Sequence, residues 1–241
     1  MSPEKSRAPS GGLLSVLRRL ALLAAAGAAV YVGWLPDVEP LRRSPPKTTA
    51  YIEGRRADLE RQGKSFKPQM IWTPYDRISD HLKHAVVTAE DDMFYQHQGI
   101  DWDNVRAAME KDWKLKRPAY GGSTITQQLA RNLYLSPSKN PLRKVKEMLI
   151  ARSLERRLGK RRILELYLNV VELGNGIYGA EAASQAYFGK HAADLTVDEA
   201  VALAVILPSP RRHNPAKRGK YVERNMKRVL ERMRASGLTR L

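Results

Sequence analysis

The feature that most constrains this chain is an uncharged run at residues 20–35, LALLAAAGAAVYVGWL, preceded directly by Arg18 and Arg19. Extended back over residues 13–17 it reaches membrane length, since roughly 20 apolar residues span a hydrocarbon core. Arginines on the N-terminal flank place the N-terminus in the cytoplasm, and Tyr31 and Trp34 suit the far interface. A cleaved signal peptide competes, because the alanine-rich stretch 24–29 offers small-residue sites. The run stays apolar through residues 30–35, which favours an uncleaved anchor. On either reading the rest of the chain is exported. The expected organisation is a cytoplasmic tail at 1–12, a transmembrane anchor at 13–35, a linker at 36–50 and a single domain at 51–241. The linker is expected because residues 36–50 hold four prolines and little that is apolar.

Charge narrows the partners. The net charge of the 241 residues is +17. Residues 1–35 hold four basic residues and one acid, so the exported part carries 38 basic against 24 acidic residues, a net +14. Such a domain seeks a polyanion: nucleic acid, an anionic membrane surface or a phosphorylated substrate. Export removes nucleic acid and leaves a membrane-linked anion. Cysteine is absent, which excludes disulfides and thiolate metal sites. His97 could be a ligand, but the other histidines (His81, His84, His191, His213) form no metal spacing.

Helical periodicity dominates from Leu82 to about Leu207. It predicts helices over 80–95, 103–116, 124–133, 141–158, 160–172, 178–187, 196–207 and 219–235. Thr196 with Glu199 is a capping box, and Pro208 and Pro210 close that helix. Residues 51–79 are mixed, with a short strand expected at 70–72. The class is mainly α with a small β element. In residues 217–234, Val222, Met226, Val229 and Met233 form an apolar stripe among basic residues. The stripe either packs on the core or rests on anionic lipid.

Two carboxylates interrupt apolar helix faces. Glu90 shares helical spacing with Val86 and Phe94, and Glu147 shares a face with Arg143, Ala151 and Leu154. An acid on an apolar stripe costs free energy unless it is paired or has a task. The pair reads either as two partly buried acids held by local arginines or as acid/base chemistry on a sugar or a phosphoryl-linked sugar. Between them lies Tyr120-Gly-Gly-Ser-Thr-Ile-Thr-Gln-Gln128. Thr124 with Gln127 fits a capping box, so a helix starts there, preceded by Gly121, Gly122 and Ser123. That start is either simply well capped or an anion site, with Arg131 two turns on. Arg143-Lys-Val-Lys-Glu147 is either a solvated basic face or a clamp for a phosphate leaving group. Arg162-Ile-Leu-Glu-Leu-Tyr-Leu-Asn169 packs a core, with Glu165 and Asn169 as structural hydrogen-bonders. The glycines at 174–179 serve close packing.

Together these segments resemble the peptidoglycan glycosyltransferase family, over about residues 72–215. The resemblance rests on Glu90-Asp-Asp-Met-Phe-Tyr-Gln-His-Gln-Gly99, Gly121-Gly-Ser-Thr-Ile-Thr-Gln-Gln-Leu-Ala-Arg-Asn132, Arg143-Lys-Val-Lys-Glu147, Arg162-Ile-Leu-Glu-Leu-Tyr-Leu-Asn169 and residues 176–190. It implies a lysozyme-like, two-lobed domain. Since no transpeptidase domain follows Leu241, the expected branch is the monofunctional one. Two departures stand out. Arg131 replaces a commoner lysine, keeping charge but changing donor geometry. The stretch from Leu207 to Pro215 lacks the lysine and tyrosine of bifunctional relatives, so no substrate contact is carried over to it.

The resemblance implies polymerisation of lipid II, a disaccharide-peptide on undecaprenyl pyrophosphate. Glu90 would be the general base toward the acceptor 4-hydroxyl. Glu147 would orient the donor or assist the leaving group, directly or through a divalent cation (Mg or Mn); no cofactor is otherwise required. Arg131, Arg143 and Lys144 would neutralise the departing diphosphate. Phe94, His97, Gly122, Ser123, Thr124, Gln127, Gln128 and Asn132 complete the expected substrate site. Expected partners are lipid II, the nascent glycan chain, the membrane and other cell-wall synthesis proteins. The expected location is the outer face of the bacterial cytoplasmic membrane. Two rivals are a muramidase-type hydrolase on the same fold, which needs no arginine-lysine clamp, and a silent scaffold, which needs no intact acids.

Overall fold

The computed structural model describes residues 11–115, 122–136 and 140–236. Ten α-helices and a three-stranded sheet occur among them. They are α1 (Gly11–Gly33), α2 (Ala50–Arg61), β1 (Gln69–Met70), α3 (Asp80–Glu90), α4 (Trp102–Leu115), α5 (Ile125–Tyr134), α6 (Pro141–Arg157), α7 (Lys160–Val170), β2 (Glu172–Gly174), β3 (Ile177–Tyr178), α8 (Ala180–Phe188), α9 (Val197–Ile206) and α10 (Lys220–Ala235). The chain is mainly helical, as its periodicity predicts. Seven of the eight expected helices end within two residues of the observed bounds. Most of residues 1–12 and the last five residues lie outside the described part.

The core has two packed layers. In one, α7 buries Ile163, Leu164, Leu166 and Tyr167 completely, against α5 and α6. In the other, α9 is buried on all sides after its acidic first turn, from Ala200 to Ile206, and is clasped by α3 and α10. Val222, Met226, Val229 and Met233 of α10 are buried there, so the apolar stripe packs on the core and the basic face points outward. The strand order is β1-β3-β2, with β1 parallel and β2 antiparallel to β3. Ser15–Gly33 of α1 is long and apolar enough to cross a membrane, and none of it is buried. The far end of α1 meets α6, where Lys146 Nζ sits 4.3 Å from the Tyr31 ring centroid.

Three elements differ from the sequence reading. Residues 36–50 do not behave as a linker. Val38 and Leu41 are buried around a 3-10 turn, and Arg162 donates to the carbonyls of Leu41 and Ser44 at 2.7 and 3.1 Å. Prolines here punctuate a packed connection. Within 51–79 lies α2, capped by Thr49. It buries Ile52 alone and is charged on its other faces, so it shows no apolar stripe. Finally, α3 stops at Glu90 instead of running to residue 95. Asp91 leaves the helix with φ −165° and ψ 75°, and Phe94 enters the core from a turn, not from the helical face of Glu90.

The hairpin depends on Gly179. Its φ is +81°, and a Cβ there would lie 2.4 Å from the Asn169 carbonyl oxygen. Asn169 is itself committed: its side chain bonds Thr73 N at 2.7 Å, Thr73 O at 2.9 Å and Glu165 O at 2.8 Å. Both the left-handed backbone and the clash with main chain oppose any side chain. Gly179→Ala should cost about 3 kcal/mol or more, a fall of roughly 10 °C in Tm. A melting curve matching wild type would show that the hairpin relaxes freely.

Candidate active site

The turn after α3 and the start of α5 are knitted into one structure. Thr124 caps α5, its hydroxyl oxygen accepting from Gln127 N at 3.1 Å while Gln127 Oε1 accepts from Thr124 N at 3.1 Å. The Thr124 hydroxyl also donates to Gly99 O at 2.7 Å. The expected capping box is therefore present. The expected anion site at this helix start already has an occupant: Asp91 Oδ2 accepts from Ile125 N at 2.9 Å. His97 Nδ1 accepts from Gly99 N at 3.1 Å, which leaves the proton on Nε2 to face Asp91 at 2.9 Å. Asp91 thus closes α3, orients His97 and caps α5. It lies in the motif but stands next to a stronger candidate acid, so its role is invisible without the fold.

Glu90 is the last residue of α3 and is only partly exposed. Gln128 Nε2 donates to its Oε2 at 2.7 Å, and the Tyr167 hydroxyl donates to Gln128 Oε1 at 2.9 Å. This chain fixes the amide orientation, because Gln128 must present its oxygen to Tyr167 and its nitrogen to the acid. Burial raises the pKa of Glu90 above the ordinary carboxylate value. The Gln128 bond and the Arg131 charge oppose that rise, and Asp91 adds to it. A carboxylate so placed is a stronger base than one in water.

Glu147 is fully buried on α6. Arg143 Nη1 donates to one oxygen at 2.8 Å and Lys144 Nζ to the other at 2.5 Å. Lys144 also donates to Ser123 Oγ at 2.8 Å, tying α6 to the loop before α5. The charged pair at i, i+4 is thus part of a buried network, not a solvated face. Both oxygens are taken by the protein's own cations, a surrounding that does not suit a divalent cation. Among the described residues no cluster of three or more His, Asp or Glu could hold a metal.

The remaining expected contacts divide by burial. Phe94, Thr124 and Gln127 are buried. Phe94 lies under Lys160 Nζ, 4.5 Å from its ring centroid. Lys160 also donates to His97 O at 2.7 Å and to Glu155 at 2.7 Å, and Glu155 accepts from the Thr126 hydroxyl at 2.6 Å. Gly122, Ser123, Gln128, Arg131, Arg143 and Lys144 stay partly accessible. Gly121 lies outside the described residues. Gln128, Arg131 and Asn132 line a cleft of about 410 Å³ whose opposite wall is the loop from Leu207 to Arg212. That wall, set aside in the sequence, is pinned by Arg211. Its guanidinium bonds both oxygens of the buried Glu172 at 2.9 and 3.1 Å and the Tyr51 hydroxyl at 2.8 Å.

Residues 58–234 match the family model described as transglycosylase. The biosynthetic peptidoglycan transglycosylase of Aromatoleum aromaticum is 52% identical over 168 residues, 70% of this chain and 73% of that one. That of Nitrosomonas eutropha is 41% identical over 227 residues, 93% of each chain. The chain belongs to the biosynthetic peptidoglycan transglycosylase family. As a member it is a peptidoglycan glycosyltransferase of cell-wall synthesis. A third relative of that description, from an Azoarcus species, is 47% identical over 198 residues, 82% of this chain and 86% of that one.

Within this transglycosylase Asp91 carries a prediction of its own. Asp91→Asn keeps an acceptor for Ile125 N but removes the negative charge that raises the Glu90 pKa. The acid limb of the pH–rate profile should then move to lower pH. A limb that stays in place or moves upward would remove Asp91 from the electrostatics of Glu90.

Proposed function

We propose that this transglycosylase polymerises lipid II into glycan strands by a single inverting displacement, with Glu90 as general base. The observation that carries the reading is the Glu90 carboxylate held at 2.7 Å by Gln128, which itself lines a cleft together with Arg131, Arg211 and Arg212. Glu90 takes the proton of the acceptor 4-hydroxyl as its oxygen bonds to the anomeric carbon of the growing chain. The bond from that carbon to the diphosphate oxygen breaks, and undecaprenyl diphosphate leaves with the electron pair. One displacement converts the α-linked donor into a β-glycosidic bond.

The cations divide the remaining work. Arg143 and Lys144 stabilise the negative charge gathering on the diphosphate, held ready by Glu147. Arg131 adds positive charge near Glu90, which keeps the base ionised. We further propose that α1 anchors the enzyme in the cytoplasmic membrane. Residues 1–12 would lie in the cytoplasm, and the domain from residue 51 onward on the outer face, where lipid-linked substrate is presented. The outward basic face of α10 suits such an anionic surface.

The test is incubation of the full-length protein with lipid II. Polymer is the expected product. Cleaved glycan would assign a hydrolase and an unchanged substrate a scaffold, and either would overturn the reading.

A further inference from the structure

The charges around the site are not equally available. Arg143 and Lys144 are already paired with Glu147. Arg211 is spent on Glu172 and Tyr51. Arg212, the next residue, is exposed on the wall of the 410 Å³ cleft. Among the described residues its side chain has no ion pair or hydrogen-bond partner. Its backbone is well held: Arg212 N donates to Ser209 O at 3.0 Å, Ser209 N donates to Ile206 O at 2.8 Å, and Pro208 and Pro210 stiffen the loop. An unpaired guanidinium on a rigid, pinned loop is preorganised for an anion.

We propose that Arg212 is a specificity-determining residue that binds a carboxylate of the substrate's stem peptide. The inference rests on the glycan-polymerising function proposed above. The opposite wall supplies Asn132, which is buried except toward the cleft, and Arg131. The cleft opens beside the amide of Gln128, which holds Glu90, so it adjoins the acid at which the sugar unit is proposed to react. None of Ser123, Arg143, Lys144 and Glu147 lines this cleft, so the diphosphate assigned to them is held elsewhere. A neutral disaccharide needs no cation. The anion left on a disaccharide-peptide is a peptide carboxylate, and a guanidinium matches it with two parallel N–H···O bonds.

The experiment compares two lipid-linked disaccharide pentapeptides, one ordinary and one with its peptide carboxylates amidated, using full-length wild type, Arg212→Ala and Arg212→Lys. Wild type should polymerise the amidated substrate with KM raised about tenfold and kcat little changed. Arg212→Ala should raise KM about tenfold on the ordinary substrate and leave it unchanged on the amidated one, with Arg212→Lys between. Circular dichroism should be unchanged, since Arg212 supports no packing. Equal loss on both substrates would assign Arg212 to the diphosphate and overturn the proposal. So would a KM within about twofold of wild type on the ordinary substrate. A wild type that polymerises neither substrate overturns the proposed function and this inference with it. Polymerisation that is blind to Arg212 overturns this inference alone.

Discussion

Glu90→Gln is expected to lose polymerising activity and to gain stability. The replacement keeps the size of the side chain and an oxygen to accept from Gln128 Nε2, so the Tyr167–Gln128 chain survives. It cannot take a proton. Loss of a general base costs about 10²–10⁴ in rate. Activity within about threefold of wild type would end the assignment of Glu90 as base.

The stability half follows from linkage. Burial raises the pKa of Glu90 in the folded protein, so the folded state binds the proton more tightly than the unfolded chain. That favourable contribution is fully present below the unfolded carboxylate pKa. It is lost as pH rises through the folded value, and at neutral pH the ionised side chain is a net cost. A neutral glutamine removes the cost, so the variant should melt at or above the wild-type temperature at pH 7. The advantage should shrink in acid, where wild-type Glu90 is protonated. A base kept at the expense of stability is what a functional acid predicts; a structural one, held by arginines, should destabilise on neutralisation. Polymerisation should accordingly rise with pH through a limb set by the raised pKa of Glu90.

What the sequence revealed and what it hid separate by distance along the chain. The capping boxes at Thr124–Gln127 and Thr196–Glu199 involve residues three apart, and both are present as written. The Arg143–Glu147 pair spans one turn and is likewise legible. The end of α3 was not, because Asp91 is drawn out of the helix by Ile125 N and His97, partners beyond any local pattern. The burial of Phe94, Thr124 and Gln127 depends on the same knot, so it too lay beyond any local pattern. The cleft wall was the least legible part. Arg211 gains meaning only from Glu172, 39 positions away, and from Tyr51, 160 positions away. Proline content misread residues 36–50 for a related reason: two buried residues, Val38 and Leu41, suffice to dock a segment with no periodicity to show it.

Glu147→Ala should be the second severe lesion, and it should fail differently from Glu90→Gln. Glu147 is buried with both oxygens bonded to cations, so its removal leaves Arg143 and Lys144 facing each other without a counter-charge. Breaking a buried pair at one partner costs about 3–5 kcal/mol. Lys144 is 42% exposed and can turn to water, which lowers the expectation to about 1–3 kcal/mol. The rate should fall by about 10²–10³, the usual effect of losing a preorganised electrostatic contact, because the cations no longer hold their orientation and Lys144 releases Ser123. Glu147→Gln separates the two effects. It restores a polar partner for one cation but not the charge, so it should recover most of the stability and little of the rate. If Glu147→Gln instead recovered full activity, the carboxylate would be a packing element and the diphosphate clamp would need no charge at its centre. Single turnovers with a preformed donor would distinguish the lesions further. With Glu90 lost, the defect should be one of proton transfer, and the rise in rate with pH that the carboxylate confers should disappear. With Glu147 lost, the defect should persist across pH, since what is lost is the orientation of Arg143 and Lys144 and not a proton transfer.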